Sequence, residues 1–269
     1  MNSKVVFITG ATSGLGKACA EYLAEQGHLV YGTGRRKMED KGRLKFIQMD
    51  VTDPDSVRRA VEHVIQQEGH IDVVFNSAGM GIGGAAELAT PEEIRLQMDT
   101  NFMGTVYVCS SVLPHMRRRG GGTIVNFSSL GGVMGLPFQA FYSASKFAVE
   151  GYSEALSLEV KPFNIHVSLI EPGDFATGFT ASRIVSEITK KSDVYGVQFL
   201  KTLKNIEKEE QNGYKPIQLA KVAARIVHAT HPKFRYKVGN LVQVGFAKSK
   251  AWIPDHTYQF LLRVFYNMV

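Results

Sequence analysis

The chain declares a strand, a tight turn and a helix almost as soon as it begins. Lys4-Val5-Val6-Phe7-Ile8 is a short, mostly β-branched apolar run, and it breaks into Thr9-Gly10-Ala11-Thr12-Ser13-Gly14-Leu15-Gly16. Beyond the glycines, Ala18, Cys19, Ala20, Tyr22, Leu23 and Ala24 recur at helical spacing until Gly27 stops the pattern. A strand that passes directly into a helix belongs to a crossover unit, whose next strand runs parallel to the first. Glycines 10, 14 and 16 permit a tight turn and a close backbone approach to a pyrophosphate, whose charge would rest on the helix N-terminal amides. The spacing is T-G-x-x-x-G-x-G rather than G-x-G-x-x-G, and a ligand-free βα turn could use the same glycines.

The rest of the chain repeats that unit. Strand-like runs at residues 4–9, 28–33, 44–49, 71–75, 123–127 and 165–170 alternate with helical patterns, which predicts an α/β fold with a doubly wound parallel sheet and helices on both faces. A further run near Tyr236, Val238 and Leu241 to Val244 is a candidate seventh strand. Only ten residues, 34 to 43, join the second and third strands, near the minimum for a parallel crossover, so the connecting helix there should be stunted. No internal repeat or low-complexity linker divides the 269 residues, and 44% hydrophobic content suffices for one core and one domain, 1–269.

Tyr142-Ser143-Ala144-Ser145-Lys146 carries the chemistry. A tyrosine and a lysine four apart share one helix face, where an ammonium would favour phenolate and bring a phenol towards the range useful for proton transfer. A packed ring beside a solvated amine would have the same spacing. The surrounding residues decide between them. Thr9 to Gly16, Asn76-Ser77-Ala78-Gly79, Asn101, Ser129 thirteen residues before Tyr142, Lys146, and Pro172-Gly173 followed by Thr177 stand in the order of the motifs of the short-chain dehydrogenase/reductase family, which the chain resembles over nearly its whole length. The resemblance implies a Rossmann-type sheet of about seven strands and hydride transfer to or from nicotinamide C4. It also implies a catalytic set of Asn101, Ser129, Tyr142 and Lys146. Tyr142 would donate the proton, Ser129 would bond the substrate oxygen, Lys146 would hold the ribose hydroxyls, and Asn101 would hold a relay water.

The cofactor should contact Gly10, Thr12, Ser13, Gly14, Leu15, Gly16, Asn76, Ala78, Gly79, Tyr142, Lys146, Pro172, Gly173 and Thr177. Asp50 and Val51 follow the third strand, and the resemblance sets them against adenine; Asp53 before Pro54 is instead an N-cap. Ser77 replaces the family's more usual second asparagine. A site for NAD places an acid about twenty residues beyond the glycines. Here the second strand ends in Thr33-Gly34-Arg35-Arg36, so a 2′-phosphate can meet Arg35, with Ser13 adding a hydroxyl and Arg36 stacking on adenine. NADP(H) is therefore expected over NAD(H), unless both arginines are merely solvated.

Composition excludes several other readings. Lys and Arg total 31 against 25 acids, a net charge of +6 that suits an anionic dinucleotide but is too diffuse to argue for nucleic acid. Arg117-Arg118-Arg119 before Gly120 complements a helix C-terminal dipole. Cys19 and Cys109 sit among small or apolar neighbours as buried free thiols, and no residues have metal-ligand spacing. The early first strand leaves no room for a signal peptide and no apolar run spans a bilayer, so a cytoplasmic protein is expected.

Met80, Ile82, Leu130, Val133, Met134, Leu136, Phe138, Phe175 and Phe179 follow the motifs and point to a hydrophobic carbonyl or alcohol substrate. In this the chain is most similar to the hydroxysteroid and retinol dehydrogenase branch. A 3-oxoacyl thioester reductase, a non-catalytic dinucleotide sensor and a lyase or epimerase on the same fold remain alternatives. Residues 178–215, charged and helical with Tyr195 and Phe199, should form a lid. In 249–269, Tyr258, Leu261, Leu262 and Phe265 make one apolar helix stripe after Trp252 and Ile253, to be buried over the pocket, on a second subunit or shallowly in a membrane. The helices from 91–119 and 140–162 carry small and apolar residues on several faces, and the resemblance makes them subunit contacts of a homodimer or homotetramer.

Overall fold

The computed structural model of the protein describes residues 3–268. The chain runs β1 (Val5–Thr9), α1 (Gly14–Glu25), β2 (Leu29–Gly34), β3 (Leu44–Gln48), α2 (Pro54–Glu68), β4 (Val73–Asn76), β5 (Ile82–Gly83), α3 (Pro91–Met98), α4 (Gly104–Arg119), β6 (Gly122–Phe127) and α5 (Ala140–Val160). It continues through β7 (Ile165–Pro172), α6 (Phe179–Ser182), β8 (Ile184–Val185), α7 (Glu187–Lys190), α8 (Gly196–Gln211), α9 (Pro216–His228), β9 (Arg235–Val238), α10 (Leu241–Ser249) and α11 (Asp255–Phe265).

Seven strands form one parallel sheet in the order β3-β2-β1-β4-β6-β7-β9. Because β1 to β3 build outward one way and β4 onward the other, the order reverses between β1 and β4, where such a sheet opens a ligand crevice at its carboxyl ends. Apolar residues on both faces of the strands explain the two-sided covering. Val6, Ile8 and Phe75 pack with Leu23 of α1 and Leu219 and Ile226 of α9, while Phe7 and Val74 pack with Val61 of α2 and Val112 of α4. Phe7 and Phe75 are completely buried, each worth about 2–3 kcal/mol of burial.

The local signals behave as capping chemistry predicts. Asp53 accepts from Asp55 N at the start of α2, with Pro54 as the first helical residue. Gly120 ends α4 in the left-handed region, directly after the three arginines. Cys19 and Cys109 are free and buried. No helix lies between β2 and β3, so the crossover, residues 35–43, is a bare loop.

Two expectations need correction. The seventh strand is Arg235–Val238 only; Leu241 to Val244 is helical, because the Asn240 side chain accepts from Val242 N and starts α10. The expected helix from 91 to 119 is also interrupted. Asp99 to Met103 widens into a π-helical turn between α3 and α4, bringing Asn101 into the interior.

Candidate active site

The carboxyl ends of β1, β4, β6 and β7 meet around one cavity of about 320 Å³. Its floor is glycine by necessity. Gly10 has φ +68°, and a Cβ there would stand 2.8 Å from the Ala78 Cα; a Cβ on Gly16 would stand 2.5 Å from the Gly10 carbonyl oxygen. Thr9 Oγ1 ties the two loops together by accepting from Ser77 N at 3.1 Å and Ala78 N at 3.0 Å. Ser13 precedes α1 without a side-chain cap bond, and the first turn carries no acid. The positive helix end therefore faces the crevice free to receive an anion, which is the fit a pyrophosphate needs.

Of the expected cofactor contacts, Gly10, Ser13, Gly14, Leu15, Gly16, Ala78, Gly79, Tyr142, Lys146, Pro172, Gly173 and Thr177 line this cavity. Thr177 Oγ1 accepts from the backbone N of Phe179, the first residue of α6, at 3.1 Å. Arg35, Asp50 and Val51 stand outside the cavity, at the ends of β2 and β3. Among the described residues the Arg35 guanidinium has no protein partner, while its carbonyl accepts from Gln48 Nε2 at 2.9 Å. Arg36 donates to the Thr12 carbonyl at 3.2 Å, and Asp50 Oδ1 accepts from Thr52 N and Oγ1 at 2.9 and 2.8 Å.

Two further expected contacts, Asn76 and Thr12, are also absent from the cavity wall. Asn76 turns its buried side chain into the core, donating to Asn126 Oδ1 at 2.8 Å and Cys109 Sγ at 3.3 Å; Ser77 takes its place on the cavity wall. The alternation of a strand decides this, since neighbouring side chains point to opposite faces. Thr12 packs its side chain under Gly34, where a Cβ would come within 2.6 Å of it.

The four expected catalytic residues converge. Ser129 Oγ accepts from Gly131 N at 3.0 Å and lies 3.5 Å from the Pro172 carbonyl. Tyr142 and Lys146 share the inner face of α5, with Lys146 Nζ 5.9 Å from the Tyr142 ring centre and donating to the Phe127 carbonyl at 2.9 Å. Asn101 binds both polar atoms of the Met80 peptide, at 2.8 Å to N and 3.0 Å to O, and donates to Ser145 Oγ at 3.0 Å. It lies behind the cavity wall, near Gly79, rather than on it.

Burial dominates the electrostatics of the pair. Burial pushes the Tyr142 phenol up to about 12, outweighing the opposite pulls of the Ser129 hydroxyl and of Arg183. Burial pushes Lys146 itself down to about 8 against the pull of Glu150, which keeps the cation favoured. One of the three ammonium donors of Lys146 is bonded to the Phe127 carbonyl, which fixes the cation beside the phenol. The phenol is thus protonated at neutral pH, the state required of a proton donor.

Most of the apolar wall follows expectation: Met80, Leu130, Met134, Leu136, Phe175 and Phe179 line the cavity. Ile82, Val133 and Phe138 do not. Ile82 is in β5 paired with β8, Val133 packs against Leu130 and Met134, and the Phe138 ring packs tilted against Phe199 with centres 5.3 Å apart. The lid segment breaks into α6 to α8, tied together by the buried Arg183–Glu210 ion pair and by Thr180 Oγ1 donating to Glu210 at 2.7 Å. Tyr195 reaches Glu87 rather than the cavity.

Sequence reasoning missed the polar members of the substrate end. Asp174, Glu209, Glu210 and Gln243 all line the cavity. Asp174 is paired with the Gln243 amide, and burial pushes its carboxyl up to about 6. Its position beside Pro172-Gly173 was a signal in the chain; Glu209 and Glu210 look like any solvated helix face until α8 is folded over. The C-terminal stripe is divided: Leu262 and Phe265 line the cavity and Tyr258 packs on Met134, but Leu261 is exposed.

A parallel sheet with a glycine-floored crevice, a half-buried serine and tyrosine with a buried lysine at one end of it, and an apolar chamber beyond defines an oxidoreductase of the short-chain type. The chain belongs to the short-chain dehydrogenase/reductase family, whose profile, described as short chain dehydrogenase, matches residues 4–187. It is 56% identical over 266 residues to a 3-ketodihydrosphingosine reductase of Bacteroides thetaiotaomicron, covering 99% of each chain. It is 36% identical over 259 residues to human 17-beta-hydroxysteroid dehydrogenase type 1, covering 88% of this chain and 77% of the relative. Among solved structures, a short-chain dehydrogenase from Streptomyces avermitilis superimposes with a TM-score of 0.83 at 31% identity over 93% of both chains. The closed form of a serine dehydrogenase complexed with NADP+ does so at 0.76 and 25% identity, over 88% of this chain and 95% of that one.

Proposed function

We propose that the protein is an NADPH-dependent reductase of a long-chain amino ketone of the 3-ketodihydrosphingosine type. The observation that carries this reading is the two-sided character of the cavity: an apolar chamber from Leu130 to Phe265, with the carboxylates of Asp174, Glu209 and Glu210 on the same wall system. A substrate with a long alkyl chain and an ammonium group beside its ketone fits both parts, and the 56% identical relative bears that substrate's name. At neutral pH Asp174 is ionised, since its carboxyl titrates at about 6.

The reduced nicotinamide supplies, when bound, the hydride that the carbonyl carbon receives. Gly10, Gly16 and the α1 N-terminus would hold the pyrophosphate, and Arg35 the 2′-phosphate that distinguishes NADPH. Tyr142 gives its hydroxyl proton to the carbonyl oxygen as negative charge gathers there, and Ser129 donates a hydrogen bond to the same oxygen. Lys146 would hold the ribose hydroxyls, and Asn101 fixes the Met80 peptide that closes the cavity beside it. A homodimer or homotetramer would form on α4 and α5, whose outer side exposes Phe147 and Leu158.

The test is NADPH oxidation across a panel: a long-chain 2-amino-1-hydroxy-3-ketone, neutral apolar ketones, a steroid ketone, retinal and 3-oxoacyl thioesters. Turnover of the amino ketone, with a KM that rises roughly tenfold in Asp174→Asn while neutral ketones are unaffected, supports the reading. Turnover of thioesters alone would replace it with the acyl reductase, and no oxidation with any carbonyl would leave a dinucleotide sensor.

A further inference from the structure

The roof of the cavity carries more apolar surface than the cavity uses. On α11, Tyr258 and Leu262 point inward, but Leu261, Val264 and Phe260 continue the same arc around the helix at helical spacing and face solvent. Phe260 is 51% exposed and Val264 45%. Arg263 and His256 mark the narrow polar side of the helix. Apart from Thr257, the helix is apolar over more than half its circumference, and only part of that surface packs on its own protein.

The neighbouring helix extends the patch. Gln198 and Asn205 of α8 donate to the carbonyls of Asn267 and Phe265 at 2.8 and 2.9 Å, and Thr202 Oγ1 donates to that of Tyr266 at 3.2 Å, so α8 lies against the end of α11. The outward face of α8 shows Val197, 85% exposed, with Lys201 and Lys204 following on the same side. Phe265 belongs to both worlds, since it lines the cavity and is exposed.

We propose that the outer surface of α8 and α11 docks on the anionic surface of a lipid bilayer, so that the mouth of the cavity opens onto the lipid from which an alkyl-chain substrate enters. The inference rests on the substrate reading above, and it supplies what that reading lacks, a route for a molecule with little solubility in water. Lysines beside an apolar helix stripe are the composition of an interfacial helix, in which apolar residues enter the headgroup boundary and cations meet lipid phosphates. Asp193 and Asp255 lie at the ends of this surface, before α8 and at the first residue of α11. None of the described helices is long and apolar enough to cross a membrane, so the contact is with the surface alone. A second copy of the chain is a poorer occupant, because α5 offers it a stripe of small and apolar residues, Ala144, Phe147, Gly151 and Leu158, free of lysine.

The full chain with NADPH is mixed with vesicles of phosphatidylcholine alone or of phosphatidylcholine with phosphatidylglycerol, then floated on a density gradient. Flotation with the anionic vesicles and much less with the neutral ones is expected. Phe260→Ser with Val264→Ser should weaken it roughly tenfold or more, and Lys201→Glu with Lys204→Glu should abolish the preference for anionic lipid. Both variants should retain wild-type turnover of a short-chain ketone in solution, which also shows that they fold. No flotation with either vesicle would overturn the proposal, as would loss of a dimer in light scattering on Phe260→Ser with Val264→Ser. Because flotation needs no substrate, it stands or falls separately from the amino-ketone assay.

Discussion

Replacing Glu150 with Gln should move the alkaline limit of the reaction without touching any group that meets the substrate. Glu150 follows Lys146 by four residues on α5, and both are buried. Behind them runs a ladder of charge: Arg235 of β9 donates to Glu150 Oε2 at 3.0 Å and also pairs with Glu154 and with Glu171 of β7, while Lys237 pairs with Glu171. Three carboxylates thus face three cations, counting Lys146. Burial draws the Lys146 ammonium down to about 8, and Glu150 is the group that opposes this. Two charges roughly 6 Å apart at an effective dielectric near 20 interact by about 3 kcal/mol, or about two pH units; Arg235 shares the Glu150 carboxylate, so about one unit is the expected shift. Removing a negative charge favours the neutral amine, so the limb moves to lower pH. The assay is kcat/KM for ketone reduction against pH, for the wild type and Glu150→Gln, with melting temperature recorded at each pH. An alkaline limb that coincides in the two proteins would refute the reasoning. A lower rate with an unshifted profile would reduce Glu150 to a packing role.

Further outcomes follow from the same geometry. Tyr142→Phe should lose at least about a hundredfold in turnover while NADPH still raises its melting temperature, because only the proton donor is removed. Arg35→Asp should weaken NADPH binding far more than NADH binding, measured by titration calorimetry; an unchanged preference would leave Arg35 a solvated charge. Lys146→Met should stabilise the fold at pH 7 by up to about 3 kcal/mol in urea, while abolishing turnover, since a buried cation is replaced by an apolar side chain of similar length. The sign carries a second check: a lysine whose folded value lies below its unfolded one makes the wild type gain stability as pH rises from about 8 towards 10, and the variant should lack that gain.

The parts of this protein legible in its sequence are those governed by short-range rules. The glycine turn, the Asp53 cap, the Gly120 stop and the alternation of strand and helix each follow from a few neighbouring residues, and together they fix the sheet. Ser129, Tyr142 and Lys146 were legible through the order of motifs that the chain shares with its family; helical spacing alone does not separate Tyr142 and Lys146 from a packed ring beside an amine. What escaped depends on distant chain. Leu241 to Val244 looks like a strand until the Asn240 side chain is seen to cap a helix. Asn76 has the composition of a crevice residue, but strand alternation turns it towards Asn126 and Cys109. Nothing local announces that Glu209 and Glu210 end up beside Asp174, because α8 must first fold over the sheet. The bond from the Lys146 ammonium to the Phe127 carbonyl was hidden for a similar reason, since that carbonyl belongs to a distant strand.

The wide turn at Asp99 to Met103 has a consequence for how this helix can change. One additional residue in a coil of 3.6 residues per turn rotates everything after it by about 100°, so α3 and α4 present differently phased faces although they continue a single rod. Deleting one residue there would restore a regular coil and yet swing Asn101 off the Met80 peptide, unlatching the loop that it clasps. The rod is kept out of step with itself so that one amide can point sideways.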